Sequence, residues 1–356
     1  MDKLLRIDDL RMMVIKKVIK EIEQFQEEWI DRTDLDPKVL HRLKEMATVQ
    51  SIGSSTRIEG SKLEDEEIST FIRNMKITEL KSRDEQEVAG YYHALELILD
   101  NFDDIELTAN NIKGLHKQLM QYSEKDVHHR GNYKTLSNQV VATTPDGGQR
   151  TIFKTTPPMF VEQQMSDALA WYKLHIKGNE YHPLVVIGAF IYEFLTIHPF
   201  QDGNGRLSRL LTTLLLLRNG YDFVQYASVE QEIERYKLEY YRALMLAQRY
   251  RGDELEVIGS WLIFLLRSIR SVTRKLKGDE KRTLEEPPAI YMNRRQQGVM
   301  NYFSRHDELS IGDIDRLLPE VSRSTLKYDL ARLREGGMIT RHGKGRGTVY
   351  KARKRH

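Results

Sequence analysis

The densest group of chemically useful side chains lies in one segment, residues 197–209, which reads IHPFQDGNGRLSR. Pro199 has no backbone N–H and disfavours helical geometry at the residue before it, so a helix is expected to end at His198. A neutral imidazole accepts a proton at neutral pH, because its ordinary pKa is about 6.5. His198 is therefore a candidate general base at the mouth of a helix.

The same segment has the features of a phosphate site. In Gly203-Asn204-Gly205, successive backbone N–H groups can turn inward as an anion nest, and the helix that starts there adds its positive N-terminal dipole. Arg206 and Arg209 are three residues apart, so they share one face of the first turn and can both reach an oligophosphate. Asp202 offers a hard oxygen to a Mg²⁺ ion on the same phosphates.

Each of these residues alone also fits an ordinary role. The His-Pro pair fits a plain helix end, Asp202 or Asn204 fits an N-cap, and the two arginines fit a solvated face. The joint pattern favours a functional site, because the separate chemical demands of proton transfer and phosphate binding are met within one short segment.

Helical periodicity dominates the elements that must position this segment. Apolar residues recurring at three and four predict helices over residues 4–31, 68–102, 112–122, 158–177, 183–197, 204–218, 229–250 and 255–276. Two alternating stretches, residues 139–143 and 150–154, flank Pro145-Asp146-Gly147-Gly148 and predict a β-hairpin. The expected fold class is therefore mainly α, with one hairpin among the helices.

A second, smaller domain is predicted after a charged linker at Lys275–Pro288. Helices over residues 295–303, 311–317 and 325–335, then strands over 338–341 and 348–351 around a basic glycine-rich turn, are typical of a winged helix-turn-helix domain. Residues 322–328 are candidates for contacts with DNA, and a protein-docking role fits this domain equally well. The candidate phosphate contacts are Lys344, Arg346, Lys351, Arg353, Lys354 and Arg355.

Composition limits the classes of protein to consider. The chain has 356 residues, a formal net charge of +3 and no cysteine, which excludes disulfides, thiolate metal sites and cysteine nucleophiles. Its N-terminus lacks the pattern of a signal peptide, and the longest apolar run, Leu210–Leu217, is too short to cross a membrane. We expect a cytoplasmic protein with no membrane partner, whose interaction with nucleic acid, if any, is local.

The segment at 197–209 resembles the signature of the Fic family, His-Pro-Phe-x-[Asp/Glu]-Gly-Asn-Gly-[Arg/Lys]-x-x-Arg, at every defined position. The resemblance extends to Glu87–Ala94, to Ile112–His116 and to the hairpin before Pro157-Pro158, which corresponds to the flap that aligns target side chains. Around Gly131 the chain departs from the pattern, because Arg130 and Lys134 stand where the family often has proline and arginine.

The resemblance implies a Fic helical bundle with a β-hairpin flap and the activity of a protein adenylyltransferase. It implies that His198 is the base, Asp202 the Mg²⁺ ligand, and Gly203, Asn204, Gly205, Arg206 and Arg209 the phosphate-binding residues. Tyr240 and Tyr241 resemble the segment on the adenine side of the nucleotide, although Gln248 stands where asparagine often follows. ATP and Mg²⁺ are the cofactors that the resemblance implies.

Ser55-Thr56-Arg57-Ile58-Glu59-Gly60 is similar to the inhibitory motif of Fic proteins that carry an inhibitory helix before the core. The similarity implies that Glu59 pairs with Arg209 and removes the donor that should hold the γ-phosphate of ATP. The alternative is a capping box, in which Thr56 and Glu59 only tie down the start of a helix.

These expectations combine into one reading of the whole chain. Residues 1–105 form an N-terminal helical region with the inhibitory motif, 106–280 the Fic catalytic core and 281–356 the winged helix-turn-helix domain. The expected function is transfer of AMP from ATP to a hydroxyl of a target protein or of the protein itself. The alternative is a nucleotide-responsive DNA-binding regulator, or a Fic protein that removes AMP. A homodimer is left open.

Overall fold

The computed structural model describes residues 1, 5–30, 36–74, 80, 82–143, 149–178, 180–251, 257–285, 294–303, 306, 308–319, 321–335, 338–343 and 348–352. Contacts between backbone positions divide the chain into two units. The first comprises residues 1–63 and 75–277, and the second comprises residues 64–74 and 278–356. Lys344, Arg346, Arg353, Lys354 and Arg355 lie outside the described residues, as do the side chains of the hairpin from 140 to 154.

The first unit is a helical bundle with one hairpin. Its elements are α1 (Asp9–Ile30), α2 (Pro37–Ile58), α4 (Arg83–Asn101), α5 (Ala109–Leu119), β1 (Gln139–Thr143), β2 (Gln149–Lys154), α6 (Pro158–His175), α7 (Pro183–Ile197), α8 (Asn204–Arg218), α9 (Val229–Arg235) and α10 (Lys237–Gln248). Helix α11 (Gly259–Glu285) follows, and α3 (Asp65–Asn74) belongs to the second unit.

Helices α7 and α8 form the centre of this bundle. Every residue of α7 from Leu184 to Ile197 is buried, and so is α8 from Leu207 to Leu217. A helix that is apolar on all sides must be surrounded by other helices, so α7 is packed against α6, α8 and α11. The loop between α7 and α8 carries the candidate site, and its two ends are therefore fixed by the most buried part of the unit.

The prediction of a mainly α fold with a β-hairpin is confirmed. The hairpin β1–β2 is antiparallel and has a register shift between Val140 and Val141. Three predicted helical segments have different bounds: residues 68–102 contain two helices, α3 and α4, and 229–250 are interrupted at Tyr236 between α9 and α10. The prediction of a linker from Lys275 is wrong, because α11 continues to Glu285, where the charged residues extend the helix. Within the described helices, none is long and apolar enough to span a membrane.

The second unit contains a compact module of three helices and a small sheet. Its elements are α12 (Arg294–Phe303), β3 (Leu309–Ser310), α13 (Ile311–Leu317), α14 (Arg323–Glu335), β4 (Ile339–His342) and β5 (Val349–Ala352). The strands form an antiparallel sheet in the order β3-β5-β4, which has one strand more than the sequence predicted. The core of the module includes Leu326, so this candidate for DNA contact is buried instead.

Candidate active site

Helix α7 ends at His198, as Pro199 predicts. His198 has φ 52° and ψ 61°, and it is the one non-glycine residue with positive φ in the described part of the chain. Its ring Nδ1 lies 3.2 Å from the carbonyl oxygen of Leu195, which can only accept, so Nδ1 carries the proton and Nε2 carries a lone pair. Burial lowers the pKa of His198 to about 4, although the bond to Leu195 opposes this shift. The imidazole is therefore neutral at physiological pH.

The turn after His198 is closed by a side chain. Asn204 is almost fully buried, its Oδ1 accepts from the N–H of Phe200 at 2.9 Å, and its Nδ2 donates to the Phe200 carbonyl at 2.7 Å. Gly203 is the N-cap of α8 with φ 79°, a backbone geometry that glycine adopts without strain. Asn204 thus contributes its backbone to the start of α8, while its side chain fixes the shape of the loop.

His116 supports the loop from below, a role that sequence reasoning missed. Its ring stacks on Phe200 with centroids 3.8 Å apart. Its Nδ1 accepts from the N–H of Gly131 at 3.0 Å, so Nε2 is the protonated atom and donates to the carbonyl of Asp202 at 3.0 Å. Burial lowers the pKa of His116 to about 4, which keeps this arrangement neutral. The segment Ile112–His116 was noticed only as a stretch of family similarity.

Asp202 is held as an ionised carboxylate at the edge of the site. Burial alone would raise its pKa, but the Arg206 guanidinium and the Gly203 N–H, 2.6 Å from Oδ1, outweigh burial and lower it. The side chain of Asp202 is 35% exposed, and that of Arg206 is 3% exposed. Arg206 lies between two carboxylates, 3.4 Å from Glu87 and 3.6 Å from Asp202, and its buried Nε has no partner within the described structure.

Arg209 lies one turn further along α8 and has different partners from Arg206. Its Nε donates to Ser55 Oγ at 2.7 Å, and its Nη2 donates to the Ser55 carbonyl at 2.9 Å and to Glu59 Oε1 at 2.8 Å. The side chain of Arg209 is 3% exposed, and its Nη1 has no partner among the described residues. Both predicted regulatory residues, Ser55 and Glu59, therefore contact the same guanidinium.

The Glu59 carboxylate also lies against the predicted phosphate nest. A Cβ atom placed on Gly205 would be only 2.2 Å from Glu59 Oε1 and 3.4 Å from Arg209 Nη1. Burial raises the pKa of Glu59, but the charge and hydrogen bond of Arg209 outweigh burial and lower it, so the group is anionic. An internal anion thus occupies the first turn of α8, the position where a helix N-terminus favours negative charge.

Helix α2 carries this anion, and α9 holds α2 in place. Small residues along the last two turns of α2 are all buried, which allows close packing against α4, α8 and α9. Ser51 Oγ donates to the buried Glu230 of α9 at 2.9 Å. Arg57 forms a bidentate pair with Glu234, also on α9, at 2.7 and 3.0 Å. The position of Glu59 is therefore set by contacts on the opposite side of its helix.

The alternative of a capping box at Thr56–Glu59 is wrong. These residues end α2 instead of starting a helix, since α2 spans Pro37–Ile58 and Glu59 is its C-cap. Thr56 Oγ1 donates back to the Ile52 carbonyl at 2.8 Å, and a negative charge at a helix C-terminus is unfavourable for the helix. The helix itself gains nothing from the Glu59 carboxylate, whose favourable contact is with Arg209.

Tyr240 and Tyr241, the predicted adenine-side pair, lie at the start of α10. Tyr240 is 4% exposed, and its ring meets Trp261 at 5.9 Å between centroids. Burial raises the pKa of Tyr240 to about 12, while the nearby Arg209 charge opposes the rise. Gln248, at the end of α10, donates to Thr196 Oγ1 of α7. The tyrosine pair is thus close to the Arg209 side of the site, and Gln248 is used to join α10 to α7.

Comparison with known proteins agrees with this geometry. Residues 106–216 match the model of the Fic/DOC family. The chain contains a Fic domain. A Fido domain-containing protein of Dictyostelium discoideum is 35% identical over 103 residues, which is 29% of this chain and 66% of that protein. A protein adenylyltransferase Fic of Drosophila grimshawi is 28% identical over 217 residues, which is 60% of this chain and 40% of that protein. The chain thus spans less than two thirds of the length of these relatives.

Solved structures share the fold of the Fic domain. A Fic family protein from Desulfovibrio desulfuricans G20 superposes with a TM-score of 0.62 at 24% identity, covering 99% of this chain and 98% of that chain. Fic-1 from C. elegans superposes with a TM-score of 0.61 at 20% identity, covering 77% and 75%. The family match contains His198, Asp202 and Arg209, whereas Ser55 and Glu59 lie outside it on α2.

Proposed function

We propose that this protein transfers AMP from ATP to a Ser, Thr or Tyr hydroxyl of a target protein or of itself, and that Glu59 inhibits the transfer. The observation that carries the proposal is the Glu59 carboxylate on Gly205 and Arg209, because it shows that the first turn of α8 accepts an anion. Relatives named protein adenylyltransferase Fic match up to 60% of the chain and support the same activity.

In the proposed reaction the hydroxyl oxygen of the target attacks the α-phosphorus of ATP. Its proton passes to Nε2 of His198, the bond from the α-phosphorus to the bridging oxygen breaks, and pyrophosphate leaves. His198 suits this role because Leu195 holds the proton of the other ring nitrogen and burial keeps the imidazole neutral. Catalysis of this kind depends mostly on positioning and on stabilising the phosphate charge.

The donors of the site fit an oligophosphate. Arg209 Nη1 and Arg206 Nε are buried and have no partner in the described part of the protein, and such donors are costly unless an acceptor satisfies them. The backbone of Gly203-Asn204-Gly205 adds N–H groups at the start of α8. Tyr240 and Tyr241 are proposed for the adenine side because they flank Arg209.

Asp202 fits a Mg²⁺ ligand. Its carboxylate is ionised and one-third exposed, and its Oδ2 has only the distant cations of Arg83 and Lys125, each 3.9 Å away. No group of three or more acidic or histidine side chains that could hold a metal occurs among the described residues, so phosphate oxygens and water would have to complete the shell. Bound there, Mg²⁺ would neutralise charge on the phosphates.

The test compares the wild-type protein, Glu59→Gly, and Glu59→Gly with His198→Ala, each incubated with Mg²⁺ and either α-labelled or γ-labelled ATP. Only the α-label should enter protein, most strongly with Glu59→Gly, and His198→Ala should abolish it. Incorporation of the γ-label, or no incorporation by any variant in the presence of lysate proteins, would refute AMP transfer. Release of AMP from premodified protein, measured on the same preparations, identifies removal as the dominant direction.

A further inference from the structure

A buried lysine lies beneath His198 and has no assigned role. Lys134 is 3% exposed, and its Nζ donates to Asn138 Oδ1 at 2.8 Å, to Thr155 Oγ1 at 2.8 Å and to the carbonyl of Ile197 at 3.1 Å. All three ammonium N–H groups are thereby used, each on a neutral acceptor. Lysine is rarely buried, because removing its charge from water is costly unless the surroundings compensate for it. Its position therefore calls for a structural reason.

Two of the three acceptors are the roots of the hairpin. Asn138 immediately precedes β1, and Thr155 immediately follows β2. Thr155 Oγ1 also donates to Asn138, which ties the two roots to each other. Asn138 Nδ2 in turn donates to the Phe200 carbonyl at 2.9 Å. The Lys134 ammonium thus joins both ends of the hairpin to each other and, through Asn138, to the loop that carries the candidate site.

The remaining contacts of Lys134 enclose His198. Its Nζ binds the carbonyl of Ile197, and its backbone N–H donates to the carbonyl of Pro199 at 2.8 Å. These are the residues immediately before and after His198, whose left-handed backbone is unfavourable for a residue with a Cβ. Such a conformation persists where surrounding contacts hold it, and Lys134 supplies a hydrogen bond on each side.

The charge of Lys134 acts on the same imidazole. Three charged groups influence His198: Lys134 opposes its protonation, whereas Glu59 and Asp202 favour it. Burial lowers the pKa of Lys134 to about 8, so the ammonium is charged at neutral pH. Loss of this charge would leave the two carboxylates unopposed and would raise the pKa of His198.

We infer that Lys134 is a positioning residue that sets the geometry of His198 and of the hairpin roots together, so that the base and the segment beside the target hydroxyl keep a fixed relation. The inference rests on the proposed AMP transfer, in which His198 takes the proton of that hydroxyl. It predicts that removing the ammonium slows transfer without removing the ATP site, because Arg206, Arg209 and the start of α8 have no contact with Lys134 among those described above.

The experiment uses Lys134→Met, which keeps the chain length and removes the charge, in the Glu59→Gly background. Lys134→Arg keeps a charged donor, Thr155→Val removes one acceptor at the hairpin root, and Lys173→Met is the matched control at an exposed lysine on α6. Lys134→Met should lower kcat on the order of 10²-fold, the usual effect of displacing a reacting group by about 1 Å, with unchanged affinity for ATP. Lys134→Arg should restore a large part of the rate, and Lys173→Met should change nothing.

Two readouts separate positioning from a general loss of structure. The acid limb of the pH profile should move to higher pH in Lys134→Met, because His198 becomes easier to protonate, but should not move in Thr155→Val, which keeps the charge. Amide hydrogen exchange over residues 139–143 and 149–154 should accelerate in both variants. These segments are the strands of the hairpin.

The outcomes distinguish this inference from the proposed function. If Glu59→Gly transfers no AMP, the proposed function fails, and unchanged hydrogen exchange in Lys134→Met would then overturn the role of Lys134 independently. If Glu59→Gly is active and Lys134→Met retains both its kcat and its acid limb, the inference is wrong while the proposed function stands. A variant with a lowered melting temperature but full rescue of exchange and rate by Lys134→Arg supports the inference.

Discussion

Replacing Glu59 with glycine removes the anion that now occupies the first turn of α8. Arg209 would keep its two hydrogen bonds to Ser55 and would lose the one to Glu59, leaving Nη1 and part of Nη2 without acceptors. The γ-phosphate of ATP could then take the position that Glu59 vacates. The substitution should therefore destabilise the free protein and favour the productive pose of the nucleotide.

The magnitude follows from burial. Removing one partner of a fully buried ion pair costs about 3 to 5 kcal/mol. The Glu59 side chain is 33% exposed and Arg209 retains Ser55, so a discounted loss of about 1 to 2 kcal/mol is expected, which corresponds to a factor of about 5 to 30 in an equilibrium. AMP incorporation at limiting ATP should rise by a similar factor. The melting temperature without ATP should fall by roughly 2 to 4 °C per kcal/mol.

The assay measures melting with and without ATP and Mg²⁺, and α-labelled AMP incorporation, on the same preparations. Glu59→Gln is the matched control, because its amide oxygen can still accept from Arg209 while its charge is gone, and it should give intermediate values. Glu59→Gly with Arg209→Ala should resemble Arg209→Ala alone, since the inhibitory contact and the phosphate donor are the same guanidinium. A less stable Glu59→Gly protein that shows neither higher incorporation nor a larger stabilisation by ATP than the wild-type protein would refute the inhibitory role.

Four further predictions test other parts of the structure. In the Glu59→Gly background, His198→Ala should lower the transfer rate about 10²- to 10⁴-fold while ATP affinity is retained, as measured by initial rates and by titration; an unchanged rate would contradict the base assignment. Glu234→Gln weakens the contact between α9 and α2 and should raise AMP incorporation with Glu59 intact but add nothing to Glu59→Gly. Because the folded-state pKa of Glu59 is lowered, its pairing stabilises the protein above the ordinary pKa of 4.5 and is lost as pH falls through the lower folded value; melting of the wild-type protein should therefore decline more steeply than that of Glu59→Gly below about pH 4.5. If the C-terminal module binds DNA, neutralising Lys344 and Arg346 together should flatten the dependence of log affinity on log salt by about 0.9 per lost phosphate contact, whereas a full-length protein with no DNA retention at low salt favours protein docking.

The local grammar of the chain was readable without a structure. Pro199 placed the end of α7 at His198, the Gly203-Asn204-Gly205 run placed the start of α8, and both helices have the predicted bounds. The hairpin was also correct, because alternation and turn residues act over a few positions. Where the prediction failed, at the join of α3 and α4, at Tyr236 and beyond Lys275, helical periodicity alone did not locate the breaks and continuations.

The sequence by itself determined which groups are available and how they sit along each helix: a histidine before a proline, a glycine-rich helix start, two arginines one turn apart and a distant Ser-x-x-x-Glu. Only the tertiary structure decided which arginine each carboxylate meets, since Glu59 and Arg209 are separated by 150 residues and are brought together by the packing of α2 against α8 and α9. The same holds for Lys134, whose backbone N–H and ammonium reach both neighbours of His198 although nothing in its local sequence marks it as buried. Side-chain spacing within one helix is fixed by its 3.6-residue period, whereas contacts between helices depend on how the whole core packs, which no local pattern encodes.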